Sequence, residues 1–79
     1  MNFDVNLYEC VNDDGLGRCH LLKKKKGKYE TYYLFYVESN PEHYVVCDYI
    51  CGEADSCSLG HAVYGSVLEE VLDYFNGLE

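Results

Sequence analysis

Outside one short segment the chain has no lysine and no arginine. All six basic residues, Arg18, Lys23, Lys24, Lys25, Lys26 and Lys28, fall within residues 18–28, against fourteen carboxylates and a net charge of -8. A chain so poor in cations elsewhere cannot wrap nucleic acid along its length, because affinity for phosphates comes chiefly from Lys and Arg. Long apolar runs are also missing, and none approaches the roughly 18 residues that a membrane-crossing helix needs. The first residues, Met1-Asn2-Phe3-Asp4, have neither the basic nor the apolar stretch of an export leader. A cytoplasmic chain, making no membrane contact, is therefore expected. No glycine-rich phosphate loop is present, since Gly15-Leu16-Gly17 precedes an expected strand and no helix follows it. Internal repeats and linkers are absent too, and low complexity is confined to the lysine run.

What is present suits one small folded domain over residues 1–79. Apolar residues make up 48% and charged residues 25% of the chain, enough apolar material to offset the entropy of ordering. A chain of this size buries only about 60% of the surface its unfolded form exposes, so the core is expected to be thin. The five cysteines, Cys10, Cys19, Cys47, Cys51 and Cys57, are odd in number. Without a leader they read as small buried apolar residues of a reducing compartment, not as a disulfide framework.

The pattern predicts four strands and a helix. Residues 3–11 open with Phe3, Val5 and Leu7 alternating with polar neighbours, the period of a half-buried strand. Asn12 to Gly17 carries turn chemistry, a second strand follows over 18–24, and the lysines then fall at a hairpin tip. Gly27 is expected to supply that tip's left-handed residue. Residues 29–38 are rich in aromatic and β-branched side chains and form the clearest strand. After a turn at Pro41, residues 43–50 form the fourth strand, and 52–60 reads as a loop. From Tyr64 the period becomes helical, with Val67, Leu68, Val71, Leu72, Phe75 and Leu78 on one stripe. A helix over 60–76 ending at Gly77 is expected, starting ahead of the capping-box pattern at Ser66 and Glu69. The resulting fold class is α+β, a four-stranded antiparallel meander with one amphipathic helix on one face (ββββα).

Two constellations bear on function. Cys47, Cys51, Cys57 and His61 supply four soft ligands, the number a tetrahedral zinc takes. Their spacing matches no common ligand pattern, however, and Cys47 and Cys51 on one extended strand would lie about 13 Å apart. No metal and no cofactor is expected, and a zinc adaptor built on these four residues is the alternative. Pairing Cys51 or Cys57 with His20, His43 or His61 would be formal thiol chemistry. A single sheet with one helix seldom encloses a substrate pocket, so an enzyme is not expected.

The second constellation is acidic and aromatic. Nine tyrosines are present, and Tyr8, Tyr32, Tyr36 and Tyr44 are expected on the sheet face away from the helix. Tyrosine gives large contact area with a polar tip. Alternating with Glu30, Glu38 and Asp48, it would suit a basic, partly apolar partner. A homodimer through the same face and a mere cover over a thin core are the competing arrangements.

In size, acidity, tyrosine content and expected architecture, though in no quotable motif, the chain resembles the small phage-encoded inhibitors of bacterial defence, anti-CRISPR proteins among them. The resemblance implies a non-catalytic protein of the bacterial host cytoplasm. It would present carboxylates where an effector nuclease or CRISPR complex expects phosphates. It places partner contacts on Glu30, Tyr32, Tyr36, Glu38, Glu42 and Asp48, then on Glu53 and Asp55, with Glu69, Glu70 and Asp73 as a second acidic surface. An immunity protein neutralising a basic toxin nuclease would use the same electrostatics.

Overall fold

The computed structural model describes residues 10–39, 41–53 and 55–79. Among these residues seven strands and one helix follow in order: β1 (Cys10–Asp13), β2 (Gly17–Lys26), β3 (Thr31–Val37), β4 (His43–Cys47), β5 (Tyr49–Glu53), β6 (Ser56–Gly60), β7 (Val63–Gly65) and α1 (Leu68–Asn76). They build one mixed sheet in the order β5-β6-β1-β2-β3-β4-β7. The β1/β6 contact is parallel and the other pairings are antiparallel. This overturns the four-stranded meander. The expected fourth strand breaks at Asp48 into β4 and the start of β5, residues expected to be loop complete β5 and form β6, and residues expected to open the helix form the end of β6 and β7. Of the expected first strand, residues 3–9 lie outside the described residues, as does Tyr8.

The sheet cannot be flat. β4 and β5 stand five places apart, about 24 Å at ordinary strand spacing. Yet Asp48 alone joins them, a step that spans at most about 7 Å of chain. The sheet must therefore coil until its two flanks meet, and the Asp48 N–H donates to the Gly60 carbonyl at 3.3 Å where they do. The concave interior gathers Val11, Cys19, Phe35, Val37, Val45, Cys47, Ile50 and Cys57, contributed from both flanks and all of them buried. Asp13 ties β1 to β6. Its carboxylate accepts from the N–H groups of Gly15 and Leu16 at 2.8 Å each and from Leu59 at 3.0 Å. One acid of the N-terminal part is thus structural.

Coiling also decides where the helix goes. The odd residues of β3 face the coil's interior, so the apolar stripe of α1 is left with the convex face. There Val71 and Phe75 pack on Leu34 and Val46, with Tyr32 and Tyr44 alongside. Tyr32, Tyr36 and Tyr44, all expected on the face away from the helix, therefore share its face. The helix begins only at Leu68, after Val67 in extended conformation (φ -111°, ψ 115°) with no side-chain cap, so the Ser66 capping box does not form. Residues 63–65 pair with β4 instead. A side chain at Gly65 would come within 2.5 Å of Val71 Cγ2, so glycine lets this strand lie against the helix. The helix stops at Gly77 as expected, though with a right-handed backbone (φ -83°).

Lysines 23–26 lie inside β2 and not at a hairpin tip. Register passes from Leu21↔Phe35 to Lys23↔Leu34, making Leu22 an extra, bulged residue. The bulge reverses the side-chain parity. Lys23 and Lys25 consequently share the helix face, where Lys25 Nζ donates to the Asn76 carbonyl at 2.8 Å. The helix has no basic residue in its own last turn, so this contact puts a cation at the negative end of its dipole. Gly27 is not left-handed. Its need is for space, because a Cβ there would stand 2.7 Å from the Glu30 carbonyl oxygen. Among the described residues no helix is long and apolar enough to cross a membrane.

Candidate partner-binding surface

Pairing register sets a row of side chains across the convex face: Cys10 opposite His20, His20 opposite Tyr36, Tyr36 opposite Tyr44, and Tyr44 opposite Gly65. The rings of His20 and Tyr36 lie 6.0 Å apart and those of Tyr36 and Tyr44 5.7 Å, both tilted. Such spacing is that of favourable aromatic contacts. Above this row stand two carboxylates. Glu38 is hydrogen-bonded to His20 Nε2 and lies 4.0 Å from Arg18 Nε. The His20 bond, with the His20 and Arg18 charges behind it, holds the Glu38 carboxyl below its usual range. Partial burial first, and then a hydrogen bond to Glu42, push the Tyr36 phenol upward. Tyr36, Glu38, Glu42 and Tyr44 thus form a continuous acidic and aromatic patch, with Arg18 and His20 at its border.

The remaining sequence-derived contacts do not join this patch. Glu30 and Tyr32 lie at the opposite end of β3. There the Tyr32 hydroxyl donates to Glu30 Oε1 at 3.3 Å and to the Glu79 carbonyl at 3.5 Å, and burial followed by the Glu30 charge raises the phenol. Asp48 lies in the seam, its side chain 15% exposed and bonded to His61 Nδ1 at 2.7 Å. Glu53 ends β5 and Asp55 stands just before β6, on the far flank. The eight residues occupy four separate places. His20 and Arg18 are the additions, and their sequence gives no sign of the role. Only the pairing of β2 with β3 brings them beside Glu38.

The four metal-ligand candidates are separated as well. Cys47 and Cys57 are buried in the coil with Cys19, and burial above all pushes these thiols up to about 12, 12 and 11 respectively. Cys51 pairs with Ser58 and Gly52 with Cys57. Neighbouring positions along a strand point to opposite faces, so Cys51 and Cys57 do not converge. His61 is solvent-facing, with its side chain 82% exposed, and occupies the left-handed region at φ 53°. Among the described residues no group of three or more His, Cys, Asp or Glu side chains is placed to hold a metal ion.

No family model, no curated protein and no solved structure matches the chain.

Proposed function

We propose that this chain is a non-catalytic binding protein whose acidic, tyrosine-bearing face docks on the basic surface of a nucleic-acid-processing effector and occupies the place of phosphates, as anti-CRISPR-like inhibitors do. The observation that carries this reading is the patch of Tyr36, Glu38, Glu42 and Tyr44. Two carboxylates stand there, Glu38 just after β3 and Glu42 just before β4, beside two half-buried rings on strands that are each paired on both sides. Carboxylates supply attraction to Arg and Lys and speed encounter. Tyrosines supply contact area with little rotamer entropy to lose. The free, mostly buried thiols suit a reducing cytoplasm as the place of action.

Affinity capture from bacterial cells, followed by titration of the purified partner, tests the reading. A basic nucleic-acid-binding protein is expected, with affinity falling steeply as salt rises. The double substitution Glu38→Lys and Glu42→Lys should weaken it by about tenfold or more, the loss of at least 1.4 kcal/mol. Nucleic acid should compete for the same partner surface. Undiminished binding by the double variant would show that this face is not the docking surface.

A further inference from the structure

A second feature of the surface lies beside that face. β7 ends the sheet, paired with β4 on one side and, among the described residues, with no strand on the other. An unpaired edge offers backbone N–H and C=O groups to any extended chain that can reach them. Between this edge and α1 lies a groove of about 300 Å³ lined by Val46, Val63, Tyr64, Glu70, Val71 and Tyr74, with Gly65 as its bare floor. Three of the eight exposed large apolar residues among the described residues line it. These are Val63, Tyr64 and Tyr74, each between 42% and 57% exposed. Scattered apolar residues need no explanation, but a cluster beside an open strand edge marks an interaction site.

Charge selects the occupant. Residues 61–79 carry Glu69, Glu70, Asp73 and Glu79 and no lysine or arginine. The cation that does approach this helix, Lys25, sits at its far end on Asn76. We infer that the groove takes an extended segment of a partner protein that alternates apolar and basic residues. The segment would add a strand to β7, set an apolar side chain between Tyr74 and Val63, and lay its basic residues against Glu69, Glu70 and Asp73. A second copy of the chain fits less well, since a two-fold contact here would set the same acids against one another. The inference rests on the basic-partner reading for the sign of the partner's charge alone. The groove itself is separate from Glu38 and Glu42.

A short synthetic peptide alternating valine and lysine is the probe, followed by fluorescence anisotropy and by amide NMR shifts of the labelled protein. Shifts are expected at Val63, Tyr64, Glu70, Val71 and Tyr74. A peptide with proline at its centre, or with glutamate for lysine, should bind about tenfold more weakly or worse. Tyr74→Ala should lower affinity to a similar degree, and so should Glu70→Lys, an exposed change that leaves the fold intact. Equal binding of the glutamate peptide would overturn the inference, as would shifts centred on Tyr36 and Glu42. So would sedimentation showing a dimer whose dilution alone moves the groove signals. If the peptide fails while Glu38→Lys with Glu42→Lys abolishes partner binding, the groove inference falls and the proposed function stands. The converse pair of results removes the acidic face and keeps the groove.

Discussion

At the scale of single residues, the cysteines divide by environment. Cys19, Cys47 and Cys57 lie in the coil's interior, where burial disfavours the thiolate and access is closed. Cys51 is half-buried on the flank, and its thiolate accepts a hydrogen bond from the Tyr49 hydroxyl, which lowers its pKa. The thiolate is the reactive form, so reactivity follows this bond and not mere position in the chain. Iodoacetamide at about pH 7.5 should therefore modify Cys51 first and spare the three core thiols until denaturant is added. Peptide mass spectrometry reads the order directly. Tyr49→Phe should slow alkylation of Cys51 severalfold, and an unchanged rate would mean that the hydrogen bond has no hold on the thiol.

At the scale of elements, helix α1 shows how distant residues decide local structure. It spans nine residues, too few to be stable in isolation, and it depends on Val71 and Phe75 packing on β3 and β4 and on Lys25 at its end. Lys25→Met keeps the aliphatic stem and removes the charge, so urea denaturation should show a loss of about 0.3–1 kcal/mol. Gly65→Ala places a methyl against Val71 and should cost more, about 1–3 kcal/mol. The strand from Thr31 to Val37 was legible in its aromatic alternation, and the end of the helix in Gly77. The start of the helix was not, because Tyr64 fits a helical stripe as well as an edge strand, and its pairing with β4 decided between them. Likewise Tyr36, Glu38 and Glu42 could be grouped by their nearness in sequence. Their alliance with His20 could not, since it depends on a register interrupted by the bulge at Leu22. Nor could the position of the lysines, whose face is set by that same bulge.

At the scale of the whole molecule, coiling makes one interior serve both flanks of the sheet, and three thiols lie within it. Those thiols tie stability to pH. Their folded pKa values, about 11 for Cys19 and about 12 for Cys47 and Cys57, stand above that of an unfolded cysteine, about 8.5. Below the unfolded value both states keep their protons and the full stabilisation is present. As pH rises beyond it, the unfolded chain releases protons that the folded chain retains, so folding weakens progressively toward the folded values. The raised phenols of Tyr32 and Tyr36 act in the same direction above about pH 10. Glu38 governs the acid side with the opposite sign. Its folded pKa is depressed, so its contribution is present above about pH 4.3 and is lost as pH falls through the lower folded value. Thermal unfolding followed across pH should therefore give a plateau near neutrality, a shallow acid limb and a steeper alkaline one. Cys47→Val keeps the site apolar while removing one of the titrating groups, so it should flatten the alkaline limb without moving the acid one. An alkaline limb of unchanged slope in that variant would mean that the loss of stability starts elsewhere than in the shared interior.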